Sequence, residues 1–189
     1  MKKKILAYVI GLALGDGNLS NPNGRAVRLR ITCDTNYPKL IKRICESIQL
    51  VAPKNKVSTI KGGKDSYVDI SCYSNKWEQL LGWKAKGGSK NVQKVKIPNW
   101  IKSDAKYSIA CLRGLIETDG SIYNDRGYIM VNFVTTTPSL AIDVMEIIDS
   151  LKFKANKYTI LVKGRKTRYN IRISKNAREF IDLIKLKKD

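Results

Sequence analysis

The residues with the clearest chemical potential are two aspartates, Asp16 and Asp119, at equivalent places in an internal repeat. Residues 7–17 align with residues 110–120, and the aligned segments share Ala, Gly, Leu, Asp and Gly at equivalent positions. Carboxylate oxygens bind hard cations such as Mg²⁺, which keeps several waters and contacts phosphate groups. A pair of aspartates that the repeat brings together would therefore form a metal site able to act on a phosphodiester. The alternative is that each Asp-Gly pair only ends a helix and begins a turn.

Histidine is absent from all 189 residues of the chain. Its absence excludes Ser-His-Asp hydrolases, Cys-His proteases, histidine zinc sites and nucleases that use a histidine as general base. The four cysteines, which contain no Cys-x-x-Cys pair of a zinc or redox site, are predicted to be reduced and mostly buried thiols: Cys33, Cys45, Cys72 and Cys111. Catalysis by this chain must therefore use carboxylates, Lys, Tyr, Cys or a hard metal.

Small residues recur at every fourth position before each aspartate, so that on a helix they share one face. They are Ala7, Gly11 and Gly15 in the first copy, and Ala110, Gly114 and Thr118 in the second. Such stripes let two helix backbones approach closely. We expect the two helices to pack side by side and parallel, which brings the two aspartates together. Because carboxylates repel one another and the negative end of a helix, a cation is expected between them.

The repeat extends beyond these segments and predicts an α+β fold of two αββαββα units related by a pseudo-two-fold axis. Helices are predicted to begin at Pro38 and Pro138, where proline suits the first helical position. Alternating apolar residues predict strands at 27–31, 56–60, 67–73, 128–134, 158–162 and 168–173. Gly17 and Gly120 are predicted to end their helices in the left-handed conformation. We assign residues 1–83 and 104–189 to the two units, and residues 84–103 to a basic linker.

The net charge of +20 is shared by both halves of the chain, which predicts a polyanionic partner that touches both. Nucleic acid is favoured, with ribosomal and membrane-surface binding as the alternatives. Lysines followed by an apolar run at residues 2–15 resemble a signal peptide, but the interior copy of the same pattern argues against secretion. The run is also shorter than the roughly 20 residues of a membrane span. We therefore expect a protein of the cytoplasm or an organellar matrix.

Residues 9–17, Val-Ile-Gly-Leu-Ala-Leu-Gly-Asp-Gly, and residues 112–120, Leu-Arg-Gly-Leu-Ile-Glu-Thr-Asp-Gly, resemble the two motifs of the single-chain LAGLIDADG homing endonucleases. The resemblance covers the length, spacing and element order of the whole chain. It implies that the motif helices form the domain interface and that the last acids, Asp16 and Asp119, are catalytic metal ligands. Gly15 and Thr118, which precede these acids, are assigned to the same metal site. Leu14 and Glu117 depart from the motif at its first Asp, which is not the metal ligand.

The same resemblance implies a monomer whose two saddle-shaped antiparallel sheets grip a long site on double-stranded DNA. It implies intron homing by Mg²⁺-dependent cleavage of both strands, which leaves short 3′ overhangs, with Mn²⁺ or Ca²⁺ able to substitute for binding. No membrane partner is implied. The alternative on the same fold is an intron maturase or a regulator that binds DNA or RNA without cutting it.

Two-stranded ribbons fit the major groove of DNA, with alternate side chains facing the bases. The candidate base-reading residues are the polar or aromatic positions that alternate with apolar ones along the strands: Arg28, Arg30, Thr32, Tyr67, Asp69, Ser71, Tyr73, Tyr128, Asn132, Arg168, Asn170 and Arg172. The candidate backbone contacts are at or near the hairpin tips: Arg25, Lys61, Lys64, Tyr123, Asn124, Arg126, Lys163 and Arg165. The alternative for each is a solvated surface residue.

Members of this family usually carry a basic residue near each metal site, often a lysine shortly before the second motif. Lys94 and Lys96 occupy that position here and are candidate catalytic residues. The alternative is that both belong only to the charged linker.

Overall fold

Two similar units follow one another along the chain, with one additional helix between them. The computed structural model describes residues 2–62, 66–161, 163–164 and 166–187. The first unit consists of α1 (Lys2–Leu14), β1 (Gly17–Ser20), β2 (Arg28–Asp34), α2 (Pro38–Val51), β3 (Val57–Lys61), β4 (Tyr67–Tyr73) and α3 (Trp77–Leu81). After α4 (Asn99–Lys102), the second consists of α5 (Ala105–Asp119), β5 (Gly120–Asp125), β6 (Tyr128–Thr135), α6 (Pro138–Ser150), β7 (Asn156–Ile160), β8 (Arg168–Ile173) and α7 (Ala177–Ile184).

Each unit contains one four-stranded antiparallel sheet. The strand orders are β1-β2-β4-β3 and β5-β6-β8-β7, so the two sheets have the same topology. Both α2 and α6 begin at a proline, as predicted, and bury one apolar stripe. The prediction of an α+β fold with two αββαββα units is confirmed.

The apolar run that resembles a signal peptide is a core helix. Eight consecutive residues of α1, from Ala7 to Leu14, are buried. A helix that is buried on every side must be apolar on every side, and this requirement explains the continuous run. Among the described residues, no helix is both long and apolar enough to cross a membrane.

The helices α1 and α5 pack in parallel and approach most closely at their glycines. A Cβ on Gly11 would lie 2.1 Å from the carbonyl oxygen of Cys111, and a Cβ on Gly114 would lie 2.4 Å from that of Tyr8. Real Cβ atoms essentially never come so close to other atoms. The two glycines therefore set the separation of the helices, as the small-residue stripes predicted.

The prediction that Gly17 and Gly120 are left-handed is wrong. Gly120 is extended, with φ of −97° and ψ of 162°, and it begins β5 directly after α5. Gly17 begins β1 and is not among the glycines with positive φ. A Cβ on Gly17 would lie 2.4 Å from the carbonyl oxygen of Ala13, and one on Gly120 would lie 2.6 Å from that of Ile116. These glycines are needed because each strand folds back closely against its own helix.

The segment predicted as a basic linker, residues 84–103, packs against the second unit. It buries Val95, Ile97 and Ile101. The backbone N–H of Ile97 donates to Asp143 at 2.7 Å, and the ammonium of Lys102 donates to the same carboxylate at 2.7 Å. These bonds hold the segment on α6.

Replacement of Gly11 by alanine is expected to lower the free energy of unfolding by about 3 kcal/mol, because the new methyl group must push apart two backbones. Chemical denaturation followed by circular dichroism measures the loss. Gly87→Ala is the matched control, because the three atoms nearest to a Cβ there belong to the amide end of one side chain, that of Gln93, the nearest at 2.5 Å. Equal stability of the two variants would contradict the proposed role of the glycine contact.

Candidate metal and DNA-binding site

The packed helices bring their acidic ends to one place. Asp119 is the last residue of α5, and Asp16 follows α1 by two residues. A Cβ on Gly15 would lie 2.0 Å from the Thr118 hydroxyl oxygen and 3.5 Å from the Asp119 carboxylate, so the two motif ends are in contact. Asp16 and Thr118 line one cavity of about 200 Å³. The four residues assigned to the metal site by sequence therefore lie together, and β1 and β5 begin directly after them.

A lysine that the sequence analysis did not select lies at this place. The ammonium of Lys90 donates to the carbonyl oxygen of Leu14 at 2.8 Å and to that of Gly15. Its Nζ is also 5.9 Å from the centroid of the Trp83 ring. Burial lowers the pKa of Lys90 to about 8, against the carboxylates of Asp119 and Asp16, which raise it. Lys90 thus supplies a positive charge beside the two acids, where a cation was expected.

Lys94 and Lys96, the predicted catalytic lysines, are exposed on either side of the buried Val95. They line a surface groove together with α3 residues and Pro98. The structure thus brings Lys90 to the helix ends and leaves Lys94 and Lys96 on that groove. Sequence could not separate these lysines, because several follow one another in a segment without periodicity.

The donor set at the helix ends fits a hard cation. Two carboxylates, Asp16 and Asp119, and the carbonyl of Gly15 offer the oxygen ligands that Mg²⁺ or Ca²⁺ prefers. No group of three or more His, Cys, Asp and Glu residues that could hold a metal occurs in the described part of the chain. A cation here would thus need further oxygens from water or phosphate, and Lys90 would have to leave the Gly15 carbonyl.

Glu117, the acid that departs from the motif, has a structural role. Its carboxylate is fully buried and accepts from Tyr8, from Arg43 at 3.1 Å and from Arg113 at 2.8 Å. Burial and the neighbouring carboxylate raise the pKa of the Tyr8 phenol. Arg43 also donates to the backbone carbonyl of Lys187. Glu117 therefore links α1, α2, α5 and the segment after α7.

The outer faces of the two sheets carry equivalent polar rows. In the first sheet, Arg30 pairs with Asn18 on one side and with Ser71 on the other. In the second, Asn132 pairs with Ser121 and Arg172. Asn18 and Ser121 were not predicted from sequence, although both stand two residues after their aspartate. Because Asn18 and Ser121 are the second residues of β1 and β5, each row begins near the candidate metal site.

Side chains within each sheet already hold several of these residues in place. Thr32 donates to Asp69 at 2.7 Å, and Arg30 forms an ion pair with Asp69 at 3.5 Å. Arg172 donates to the Tyr158 hydroxyl at 3.1 Å, and a hydrogen bond with Tyr123 and the adjacent Tyr158 raise the pKa of Arg172. These contacts orient the donors before any ligand binds.

Four polar atoms on these faces are buried without a hydrogen-bond partner, within the ranges that the structure describes. They are Arg30 Nε, Asn132 Oδ1, Asn170 Oδ1 and Arg172 Nε. An unpaired buried polar atom costs about 1–3 kcal/mol. A ligand with complementary donors and acceptors, such as base edges in a groove, would remove that cost.

The remaining predicted contacts differ in exposure. The exposed ones are Tyr67, Tyr73, Tyr128, Arg168, Arg25, Lys61, Tyr123, Asn124, Arg126 and Lys163, and Arg28 is half-buried. Ser71 is buried, contrary to its predicted exposure, because β4 is an inner strand and Arg30 and Ser58 flank it. Lys64 and Arg165 lie outside the described residues.

The tip between β5 and β6 is a tight turn. Arg126 and Gly127 have φ of 52° and 87°, the conformation of a two-residue hairpin loop. The side-chain carbonyl of Asn124 accepts from the Gly127 N–H at 2.8 Å. Asn124 thus stabilises the turn, and Arg126 is presented at its tip.

Replacement of Glu117 by glutamine is expected to lower the free energy of unfolding by about 2 kcal/mol, because it removes the charge from a buried acceptor of two arginines. Glu46→Gln is the control, since the ion pair of Glu46 with Lys42 is exposed and is worth at most about 1 kcal/mol. Urea denaturation of both variants measures the difference. A loss no larger at Glu117 than at Glu46 would refute the structural role.

Two family models match the chain, one in each unit. Residues 5–71 match the WhiA LAGLIDADG-like domain, and residues 106–185 match the LAGLIDADG-like domain. No curated protein sequence matches the chain.

Solved structures with the same fold cover almost the whole chain. The crystal structure of I-DmoI in complex with DNA and Mn is 22% identical, covers 97% of both chains and has a TM-score of 0.71. I-DmoI G20S with its target DNA in the presence of Mg is 21% identical, covers 98% of both chains and has a TM-score of 0.69. The N-terminal LAGLIDADG domain of DUF199/WhiA is 16% identical, with 100% of this chain and 86% of that chain covered and a TM-score of 0.68.

These likenesses show a shared fold, and the matches of both units to LAGLIDADG models agree with the repeated motifs and the packed glycine helices. The chain thus consists of two LAGLIDADG-like domains and carries both motifs on one polypeptide.

Proposed function

We propose that the protein is a monomeric, site-specific endonuclease of double-stranded DNA that depends on a divalent cation bound by Asp16 and Asp119. The observation that carries the proposal is the contact between the two motif ends, which places both acids at the start of both sheets. I-DmoI, which shares the fold, was crystallised with DNA together with Mn, Ca or Mg. The net charge of +20 supports a polyanionic partner.

In this proposal, the sheets select the DNA site and the helix ends act on its backbone. Arg30, Asn132 and Arg172 are of the types that pair with guanine or adenine edges in the major groove. Their unpaired polar atoms provide the donors and acceptors for this contact. Two sheets side by side would span a long site, and cuts in both strands between them would leave short 3′ overhangs.

Asp16, Asp119 and the Gly15 carbonyl would hold the cation, preferably Mg²⁺. When bound, such a cation polarises the phosphate and makes a coordinated water more acidic. The chain itself positions both carboxylates through the contact of Gly15 with Thr118 and supplies the positive charge of Lys90 near the phosphate. Intron homing is the biological setting that the family resemblance favours.

Asp16→Asn and Asp119→Asn are each expected to lower the rate of cleavage at least about 100-fold. Loss of a metal ligand should reduce activity at least as much as loss of a residue that only hydrogen-bonds to a ligand. The substrate is a library of duplex DNA with randomised sites, incubated with Mg²⁺, and sequencing of the cut ends measures both the site and the rate. Asp149→Asn makes the same charge change on an exposed helix end and should cut normally. Undiminished cutting by both active-site variants would contradict the proposal.

The second candidate is a regulator or maturase that binds DNA or RNA without cutting. Lys90 favours it, because an ammonium on the Gly15 carbonyl already supplies the cation that two adjacent acids require. The match of residues 5–71 to the WhiA LAGLIDADG-like domain agrees with this candidate. Tight, selective binding of RNA or duplex DNA with no cut ends in Mg²⁺ would favour it over the endonuclease.

Replacement of Lys90 by methionine separates the two candidates. For the endonuclease, Mn²⁺ is expected to raise the Tm of the wild-type protein, and Lys90→Met is expected to bind Mn²⁺ more tightly, because no ammonium then competes with it. For the non-cutting binder, Mn²⁺ would raise the Tm of Lys90→Met but not that of the wild-type protein. Thermal unfolding with and without Mn²⁺ measures both, and Lys86→Met, an exposed lysine of the same segment, is the control.

A further inference from the structure

A cavity of about 410 Å³ opens between α1, α2, α5 and α7, apart from the candidate metal site. Lys4, near the first residue of α1, lines it. At about 1.5 Å per residue, Lys4 is about 15 Å along the helix from Leu14, where the acidic end begins. The cavity is also off the outer faces of both sheets, since its lining is entirely helical apart from Lys185, the residue that ends α7. DNA bound at the sheets would leave it accessible.

The cavity combines an apolar floor with a cationic rim. Ile5, Ile109 and Ile184 contribute to the floor. The rim carries five cationic side chains: Lys4, Arg43, Lys106, Arg113 and Lys185. Two of these, Arg43 and Arg113, bind Glu117, and none of the described residues that line the cavity is acidic. Such a site complements a ligand that has both apolar groups and negative charge.

The other half of the molecule shows what an equivalent surface binds. Arg43 and Asp143 are both the sixth residue of a helix that begins at a proline, α2 and α6 respectively. On α6, Asp143 accepts from the Ile97 N–H and from Lys102, each at 2.7 Å. Ile101 between them is fully buried, and its carbonyl accepts from Ser108 of α5 at 2.8 Å. A peptide therefore occupies this surface with its apolar side chain inside and its cation on Asp143.

The corresponding position in the first half has the opposite charge, because Arg43 stands where α6 has Asp143. We propose that the cavity binds a peptide segment of another protein that carries an apolar side chain and flanking carboxylates. The apolar side chain enters between Ile5 and Ile109, much as Ile101 is buried beside α5, and the carboxylates pair with Arg43 and Lys106. A second copy of this chain is disfavoured as the partner by mutual repulsion, since each copy carries a net charge of +20.

The test uses the full chain and two fluorescent peptides with the sequence of residues 95–104. One is native and the other carries K96E and K102E. The acidic peptide is expected to bind at least about tenfold more tightly at 0.15 M salt, because its charges oppose those of the rim. Fluorescence anisotropy measures the affinity, and methyl NMR of Ile5, Ile109 and Ile184 locates the site. Lys106→Glu should weaken binding by a similar factor, whereas Lys54→Glu, an exposed lysine after α2, should not.

Three results would overturn the proposal. The first is equal binding of the two peptides. The second is equal binding of an acidic peptide in which Trp100 and Ile101 are replaced by serine, which would reduce the interaction to charge alone. The third is a set of NMR shifts on the sheet faces instead of the cavity methyl groups. Circular dichroism confirms that Lys106→Glu is folded, which is expected because Lys106 is exposed in the first turn of α5 and a carboxylate there favours the helix.

Discussion

The close packing of α1 against α5 is the contact on which the rest of the molecule depends. Gly11 and Gly114 have no side chains, so each helix backbone touches the other. The contact buries the apolar part of α1, from Ala7 to Leu14, and joins the two units. Because β1 and β5 begin at once after these helices, the same contact also sets the relation between the two sheets. If α1 and α5 were farther apart by the width of one methyl group, both the two acids and the polar rows of the sheets would be displaced.

That contact also brings negative charges together, and a residue outside the repeat compensates them. Two carboxylates at adjacent helix C-termini repel each other and the carbonyl dipoles. Lys90, from the segment between the units, places its ammonium on the carbonyls of Leu14 and Gly15. A bound divalent cation would stabilise the same arrangement in another way. The two functions proposed for this chain therefore differ in the occupant of the helix ends, which would be a divalent cation in the endonuclease and is the ammonium of Lys90 in the binder.

The two units have diverged around equivalent helices. Thr118 stands where the first motif has Gly15, and Asp143 stands where α2 has Arg43. Asp143 holds the segment that joins the units, while Arg43 and the buried Glu117 hold the segment after α7. Asp143 of the second unit thus holds the segment that follows the last helix of the first unit. Arg43 of the first unit holds the segment that follows the last helix of the second unit, and the two holding residues have opposite charges.

The sequence by itself determined the two-unit fold, the parallel glycine helices and the meeting of Asp16 with Asp119. Each of these follows from periodicity and from the repeat, and both patterns can be recognised in the sequence without knowing which elements pack against each other. Only the tertiary structure decided that Gly17 and Gly120 are extended, that Ser71 is buried and that Glu117 is structural. It also selected Lys90 among the lysines of residues 84–103. Those features depend on which atoms meet across distant elements, and a lysine that contacts a helix end has the same sequence signature as one in solvent.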